Sequence, residues 1–457
     1  MSILVRDKAF YKRLLVIGLP IAAQQMITVG VNMVDNLMLG QLNETALAAS
    51  SMATQVHNMF HFMSMGMGMG ASVLIARFWG AKDDISLKKT LVLMYRLCLS
   101  VVALFTVLNI FIPGGLIRLL TPDEEVIFEG VRYLRWATPC FFFYGLSLTT
   151  TIVLRNIGKM RIPLYSSIGA FFLNIFCNWV FIFGKFGAPA MGVAGAALGT
   201  LISRVFEFCF ICGYFFLIQK KVRFSPLDIR FPAGDLLGEY MRISLPVFIS
   251  DTLLGIGNSM VMSVAGHIGK VYMSANNITN VTQQLTTVFT VALGQLAVII
   301  TGNTLGENDP EKAQQQGYTF AILGAAIGAL CGCIIYAISP YVVSMYQIAD
   351  ETRAVAIELM HATAFITMFM ALGSVLTKGV LRGGGDTRFL MIADVVFIWA
   401  VSVPLGAMAG LVWHWPPFLI FCSLKIDNVL KSILCIFRLR SRKWMKKIKG
   451  VGSAAVK

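Results

Sequence analysis

Long apolar runs separated by short polar segments dominate this chain of 457 residues. Twelve of these runs have about 20 residues or more, the length that an α-helix needs to cross the hydrocarbon core of a bilayer. They lie near 13–39, 46–76, 90–113, 131–154, 162–184, 190–218, 240–265, 272–301, 317–340, 354–381, 389–412 and 416–437. The pattern predicts an all-α integral membrane protein of about 12 transmembrane helices.

Composition and charge placement support this interpretation. The chain is 57% hydrophobic and 13% charged, whereas a soluble domain has roughly 25% charged residues. A net charge of +15 would suggest a nucleic-acid partner for a soluble protein. Here, however, one alternating set of connecting segments holds 26 basic residues and the other holds four. The positive-inside rule therefore predicts a multi-pass protein of the bacterial inner membrane, with both termini cytoplasmic and no nucleic-acid partner.

The second half of the chain repeats motifs of the first. Ile17-Gly-Leu-Pro20 returns as Ile243-Ser-Leu-Pro246, an offset of 226 residues, and Gly80 with Asp83 returns as Gly306 with Asp309 at the same offset. Val153 to Arg161 returns as Val380 to Arg388 at an offset of 227. Six spans in each half make the repeat parallel, which predicts two lobes related by a pseudo-two-fold axis along the membrane normal.

The repeat also predicts domain boundaries. We expect an N-lobe at 1–218, a cytoplasmic inter-lobe linker at 219–239, a C-lobe at 240–440 and a basic cytoplasmic tail at 441–457. An aqueous cleft between two such bundles is the arrangement used for alternating access.

Six motifs spread over both halves resemble those of the multidrug and toxic compound extrusion (MATE) transporters. They are Gly18-Leu-Pro20, Val34-Asp35-x-x-x-x-Gly40, Gly70 to Asp83, Leu154-Arg155-x-x-Gly158, Gly192-x-x-Gly195 to Thr200, and Leu381 to Arg388. The resemblance covers about 15–445. It implies a secondary active antiporter that exports amphipathic, cationic drugs or metabolites in exchange for Na⁺ or H⁺, works as a monomer and needs no other cofactor or metal.

Asp35 is the prime candidate for binding the coupling ion. It lies inside the first span without a basic residue within helical reach, and intramembrane carboxylates are usually functional; the alternative is an acid that contacts water at the extracellular end. In the archaeal branch of the family the matching acid works with an Asn and an Asp on span 5 and a Thr on span 6. The corresponding residues here are Asn174, Asn178 and Thr200. Because the second acid is an amide in this chain, the choice between Na⁺ and H⁺ stays open.

Other polar residues inside the spans are candidates for the substrate cavity. Asp251 follows Pro246 in span 7 and either faces the cavity or is a satisfied polar residue at the helix start, while Asp394 in span 11 has no local base. Asn276, Asn280 and Gln283 form a polar stripe on span 8, which must face protein or water. The full predicted set is Gln24, Asn32, Asp251, Asn258, Asn276, Asn280, Gln283 and Asp394.

Two alternatives to an antiporter come from different readings of the same residues. A flippase for a lipid-linked saccharide of the same superfamily usually has a cationic cavity or added spans, but the basic residues here lie mostly outside the spans. A membrane-embedded enzyme would need clustered nucleophiles or metal ligands, and only His57 and His61 share a face. We therefore do not expect an enzyme. Arg204 with Glu207, and Asp427 with Lys431, have the spacing of structural ion pairs.

Overall fold

The computed structural model describes residues 4–5, 7–42, 44–121, 123–219, 222, 224–346, 348–448 and 450, which form helices and turns with no strand among them. The first half of the chain contains α1 (Lys8–Gly40), α2 (Glu44–Ala81), α3 (Asp84–Phe111), α4 (Pro113–Arg118), α5 (Glu124–Ala137), α6 (Cys140–Asn156), α7 (Arg161–Phe183) and α8 (Val193–Gly213). The second half contains α9 (Gly234–Ile268), α10 (Lys270–Gly306), α11 (Pro310–Ser344), α12 (Asp350–Val375), α13 (Leu381–Gly383), α14 (Thr387–Val396), α15 (Val403–Ala407), α16 (Pro417–Leu424) and α17 (Ile426–Arg440).

Ten helices among the described residues are long and apolar enough to cross a bilayer, and one of them, Thr387–Val412, joins α14 and α15 through π-helical turns at Phe397–Ser402 and Met408–Val412. An eleventh crossing comes from α5 and α6, which bend by 56° at Thr138 and Pro139. Proline has no N–H for the helical ladder and disfavours the helical conformation of the residue before it, so a break is expected there. These spans match eleven of the twelve predicted runs.

The twelfth predicted run, 416–437, is a broken helix. Lys425 leaves the helical conformation, with φ −118° and ψ 13°, and divides the run into α16 of 8 residues and α17 of 15 residues. Neither piece alone has the roughly 20 residues that a membrane crossing needs. The charged and polar residues of the run, from Lys425 to Ser432, lie at and directly after this break.

The contacts divide the described residues into two compact units. The C-terminal unit consists of the described residues within Met1–Ala22, Ala76–Asp83 and Met241–Lys449, and the N-terminal unit consists of those within Ala23–Ile75, Asp84–Tyr240 and Gly450–Lys457. Each has its own apolar core, which includes Phe60 and Phe141 in the N-terminal unit and Met360 and Phe421 in the C-terminal unit. The lobe boundaries expected from the repeat stay a prediction.

Two glycines related by the repeat pack against each other in the C-terminal unit. A Cβ added at Gly80 would collide with the backbone carbonyl of Asn303, and a Cβ added at Gly306 would collide with that of Arg77. Small residues allow such close approach of helix backbones in membranes. The ends of α2 and α10 therefore require glycine at these two positions.

The residues that follow α17 fold back onto the C-terminal unit. Trp444 is fully buried, and its indole N–H donates to Gln314 Oε1 at 2.9 Å. The backbone N–H of Lys446 donates to the Gly384 carbonyl at 2.9 Å, and Arg438 donates twice to Asp386, at 2.7 and 3.2 Å. The first part of the predicted basic tail is thus packed against the loop between α13 and α14.

The predicted linker contains a short 3₁₀ helix, Pro226–Arg230, held against α3 in the N-terminal unit. Lys88 pairs with Asp228 at 2.8 Å, and Arg96 donates to the backbone carbonyls of Ile229 and Phe231 at 2.9 and 3.2 Å. This part of the linker is therefore fixed to one helix of the unit that precedes it.

Candidate functional site

The structure brings three of the predicted coupling-ion residues together in the N-terminal unit. The amide Nδ2 of Asn178 donates to Asp35 Oδ1 at 2.6 Å and is 3.3 Å from Asn174 Oδ1. Asn174 and Asn178 are one turn apart on α7, so their side chains share a face, and both are almost fully buried. We call Asp35, Asn174 and Asn178 the Asp35 cluster.

The other end of the Asn178 amide has no partner. Its Oδ1 is buried and accepts no hydrogen bond from any described residue. A Cβ added at Gly199 on α8 would collide with this oxygen, so glycine at that position makes room for it. A buried unpaired amide oxygen costs about 1–3 kcal/mol. Its presence beside a carboxylate creates a place that a proton donor or a small cation would satisfy.

Thr200, the fourth predicted residue, lies on the same helix as Gly199 and is half-buried. Thr200 and Asp35 both lie close enough to Tyr133 of α5 to interact with its hydroxyl group. Tyr133 was not among the residues predicted from the sequence. It links Thr200 to the surroundings of the Asp35 cluster.

No basic residue lies near Asp35 along α1, as predicted, but the fold brings a basic residue of another helix close to it. Arg204 on α8 is close enough for its positive charge to act on Asp35. Arg204 is bound at 2.7 Å by Glu207, which is the pair predicted from their spacing. Because Glu207 already compensates this arginine, Asp35 is only partly neutralised by it.

Arg204 also connects to the two histidines of α2. Its guanidinium lies over the Tyr144 ring, 4.4 Å from the centroid, and the Tyr144 hydroxyl is 2.7 Å from His61 Nδ1. His57 stacks on Phe141 with 4.7 Å between the ring centroids. Among the described residues, no group of three His, Cys, Asp or Glu side chains is placed to hold a metal ion. Both histidines therefore belong to an aromatic and polar packing network.

Gln24 and Asp251 make equivalent contacts in the two halves of the chain. Arg155 donates to Gln24 Oε1 at 2.5 Å, and Arg382 makes two hydrogen bonds to Asp251 at 3.0 and 3.3 Å. Arg155 and Arg382 are related by the offset of 227 residues of their motif, whereas the offset of 226 around Gln24 aligns it with Ser250, one residue before Asp251. Asp251 is part of an ion pair with an arginine that is 97% buried, since Arg382 exposes 3% of its surface. The two repeat-related arginines therefore bind polar side chains one position apart in the repeat, an amide in the first half and a carboxylate in the second.

The predicted stripe on span 8 faces methionines of the C-terminal unit. The Nδ2 groups of Asn276 and Asn280 are 3.2 and 3.5 Å from Met262 Sδ, and Gln283 Nε2 is 3.1 Å from Met370 Sδ. Thioether sulfur is a weak acceptor, so these amides keep hydrogen-bonding capacity.

Three further members of the predicted cavity set have different surroundings. Asn32 and Asn258 are exposed, and Asn258 accepts a long contact of 3.4 Å from Lys425. Asp394 is buried and accepts a hydrogen bond of 2.7 Å from Ser250. It also lies 3.4 Å from Lys431, so a base that sequence spacing did not reveal is supplied by α17.

The protein-family model described as MatE matches this chain twice, at residues 20–180 and 246–408. The two matches start 226 residues apart, which is the offset of the sequence repeat. A probable multidrug resistance protein, YoeA of Bacillus subtilis, is 26% identical over 80% of this chain and 79% of its own length. A probable multidrug resistance protein NorM of Agrobacterium fabrum is 26% identical over 87% of this chain and 86% of its own length.

Solved structures have the same fold. A MOP superfamily transporter from Pyrococcus furiosus aligns with a TM-score of 0.86 at 19% identity, over 95% of this chain and 97% of that one. An outward-facing multidrug resistance MATE family transporter aligns with a TM-score of 0.86 at 19% identity, over 94% and 96%. The predicted all-α membrane fold class is thereby confirmed. Since the family model covers most of the sequence, the chain belongs to the MatE family of multidrug and toxic compound extrusion transporters.

Proposed function

We propose that this protein is a secondary active antiporter that exports amphipathic, cationic organic compounds in exchange for Na⁺ or H⁺ by alternating access. The observation that carries the proposal is the Asp35 cluster, in which a membrane-embedded carboxylate meets an amide with one unpartnered oxygen. Intramembrane carboxylates are costly and mark ion pathways. A cation that binds at Asp35 compensates the carboxylate, and once the Asn178 amide turns over it is also a partner for the unpaired oxygen.

Both coupling ions fit this chemistry. Na⁺ would take oxygen ligands from Asp35, Asn178 and Asn174, as hard cations prefer. A proton on Asp35 would instead be donated to Asn178 Oδ1 after the amide turns over, because an amide offers a donor on one side and an acceptor on the other. Neither Na⁺ binding nor protonation of Asp35 requires a second carboxylate in the Asp35 cluster.

Related proteins and local chemistry favour an organic substrate. The similar proteins from Bacillus subtilis and Agrobacterium fabrum are described as probable multidrug resistance proteins. In the C-terminal unit, the amides of α10 lie against the sulfur atoms of Met262 and Met370. Methionine adapts to differently shaped apolar ligands, which suits a transporter of loose specificity. We assign Asn276, Asn280 and Gln283 to the substrate path on this ground.

The protein acts, in this proposal, as a monomer in the bacterial inner membrane with both termini cytoplasmic. The distribution of basic residues between alternating connecting segments supports the cytoplasmic position of the termini. Exported compounds would then leave the cytoplasm while the coupling ion enters.

The test is dye efflux from everted membrane vesicles in which a Na⁺ gradient or a H⁺ gradient is imposed separately. Asp35→Asn should abolish export under whichever gradient drives the wild type. Asp350→Asn is the matched control, because this carboxylate is 95% exposed and pairs with Arg353, 2.9 Å away and three residues further along α12. Gradient-driven export by the Asp35→Asn protein at the wild-type rate would refute the proposal.

A further inference from the structure

An open groove of about 850 Å³ lies between α3 and the bend that joins α5 to α6, inside the N-terminal unit. Its walls include Val107 and Ile110 of α3 and Phe142 of α6, and all three side chains are exposed. On a helix that crosses a bilayer, as α3 does, exposed apolar side chains face lipid chains. We call this cavity the α3 groove.

Two features of the chain shape the α3 groove. Gly145 lets α6 approach α3 closely, because a Cβ at this position would lie only 2.9 Å from Val102 Cγ2. About two turns earlier, at Thr138 and Pro139, the chain bends by 56° between α5 and α6. Val102, Thr138 and Pro139 all line the groove. The groove therefore lies between a close helix contact and a helix break.

Arg135 gives the α3 groove a positive charge that is not balanced there. It lines the groove and is exposed, and the lining contains no Asp or Glu. One turn earlier on α5, Arg132 pairs with Glu129 at 2.9 Å, whereas Arg135 forms no ion pair with any described residue. A guanidinium can donate two parallel hydrogen bonds to one phosphate group. An anionic phosphate is thus the group that this arginine would bind best.

Asn109, in the α3 wall of the groove, offers a buried hydrogen-bond acceptor. Its Nδ2 donates to the Phe105 carbonyl at 2.8 Å, and its Oδ1 accepts no hydrogen bond from any described residue. Asn109 is only 1% exposed, and a buried amide oxygen without a partner is costly. A small turn of the side chain would present this oxygen to the groove that the residue lines. A hydroxyl group would then supply the missing donor.

We propose that the α3 groove binds one phosphatidylglycerol molecule of the surrounding bilayer. The lipid phosphate binds Arg135, and a hydroxyl of the headgroup donates to Asn109 Oδ1. One acyl chain lies along Val107, Ile110 and Phe142. The net charge of −1 on this lipid complements the one unbalanced arginine of the groove. Phosphatidylcholine fits less well, because it has no net charge and its headgroup has no hydrogen-bond donor.

Native mass spectrometry of the purified full chain in detergent measures this binding, with dioleoyl phosphatidylglycerol and dioleoyl phosphatidylcholine as the probes. The wild type should bind phosphatidylglycerol at least about fivefold more tightly than phosphatidylcholine. Arg135→Gln should remove this preference, and Arg135→Lys should keep most of it. Arg132→Gln is the matched control, because it removes the same charge one turn earlier and outside the lining of the groove. It should bind both lipids like the wild type.

Further variants test the amide and the apolar walls. Asn109→Leu should lower the affinity for phosphatidylglycerol about threefold and leave that for phosphatidylcholine unchanged. Ala103→Phe places a ring in the groove and should weaken the binding of both lipids. Leu104→Phe, at an exposed position of α3 outside the lining, should not. Glycerophosphoglycerol, which is the headgroup without acyl chains, should not compete with the lipid.

Equal affinity of the wild type for the two lipids would overturn the inference, as would equal affinity of the wild type and Arg135→Gln for phosphatidylglycerol. Unchanged binding by Ala103→Phe, or competition by glycerophosphoglycerol, would show that the lipid or its phosphate binds outside the α3 groove. Arg135 and Ala103 are exposed, so their substitution leaves the apolar core intact, and thermal melting of each variant checks its folding. Because no ion gradient is used, the result is independent of the proposed antiport.

Discussion

At the scale of single residues, the amide of Asn178 decides how Asp35 is held. Its Nδ2 donates to the carboxylate, its Oδ1 is unpartnered, and Gly199 leaves room for that oxygen. Hydrogen bonds to charged groups contribute about 1.5–3 kcal/mol. Small changes in the position of this one amide should therefore change ion binding strongly.

Gly199→Ala tests the position of the amide without touching its chemistry. The added methyl group collides with Asn178 Oδ1, so the hydrogen bond to Asp35 should lengthen and the affinity for the coupling ion should fall about tenfold, or about 1.4 kcal/mol. The measurement is export rate against ion concentration. Gly213→Ala is the control on the same helix, since a Cβ there meets nothing within 4 Å. Equal ion affinities of the Gly199→Ala and Gly213→Ala proteins would contradict the proposed role of Asn178.

Glu207→Gln tests whether Arg204 is held away from Asp35. Without its carboxylate partner at 2.7 Å, Arg204 should turn to Asp35 and compete with the coupling ion, which lowers gradient-driven export severalfold. Glu129→Gln removes an exposed pair of the same spacing, with Arg132 at 2.9 Å, and should have little effect. Adding Arg204→Met to Glu207→Gln should restore ion affinity. If the double variant binds the coupling ion no more tightly than Glu207→Gln alone, competition by Arg204 is not the cause of the reduced export.

The sequence was informative about these residues to different degrees. Asp35, Asn174 and Asn178 were predicted as one site from the motif resemblance and the one-turn spacing on α7, and the structure brings them together. Arg204 on α8 and Tyr133 on α5 lie close enough to act electrostatically on Asp35, and this proximity depends on helix packing that spacing along one helix cannot reveal. For the Asp251–Arg382 pair the repeat relates only the arginine, Arg382, to Arg155, because the offset of 226 around Gln24 aligns that residue with Ser250 and not with Asp251.

At the scale of secondary-structure elements, the segment after α17 is a packed part of the C-terminal unit. Trp444 is fully buried, and a Cβ at Gly384 would collide with its ring. The sequence predicted a basic tail here because it is rich in lysine and arginine. One buried tryptophan among these charges is a weak signal, and its pocket is built from distant parts of the chain.

Trp444→Ala should destabilise the C-terminal unit. Removing a buried tryptophan costs about 3–5 kcal/mol because it leaves a cavity, and the indole hydrogen bond to Gln314 is also lost. Thermal melting of the detergent-solubilised protein should begin at a lower temperature than for the wild type. Trp136→Ala, at a position that is 44% exposed, should cause a smaller decrease. The packing account is wrong if both variants melt like the wild type.

The linker's 3₁₀ helix should loosen in acid. The hydrogen bond from Lys88 holds the pKa of Asp228 below its usual value. A carboxylate with a lowered folded-state pKa adds stability above its unfolded value of about 3.9, and this stability is lost as the pH falls through the folded-state pKa. Because the pair is partly exposed, the effect should be at most about 1 kcal/mol.

Hydrogen exchange of the amides at 227–231 measures this loosening. Lys88→Met should raise their exchange at neutral pH by up to about fivefold, and its difference from the wild type should vanish in acid. Lys185→Met, outside this segment, is the control. A difference that is constant across the pH range would show that the ion pair is not responsible.

At the scale of the whole molecule, hydropathy alone predicts a helical membrane protein. Backbone N–H and C=O groups in lipid must find hydrogen-bond partners within the protein, and few architectures other than α-helices provide them. Eleven of the twelve predicted spans appear as long helices or as one bent pair. The break at Lys425 and the division into compact units depend on three-dimensional contacts, which a hydropathy profile does not contain. The repeat offset of 226 was readable from the sequence, and the two matches of the family model start at the same separation.

The central claim is that ion binding at Asp35 drives export, and transport by purified protein in liposomes tests it most directly. The wild type should accumulate a cationic dye against its concentration gradient when a Na⁺ or H⁺ gradient is imposed, and should also exchange labelled for unlabelled dye without any gradient. Asp35→Asn should keep the exchange and lose the accumulation, because substrate binding remains while coupling is removed. Accumulation by the Asp35→Asn protein equal to that of the wild type would contradict the account.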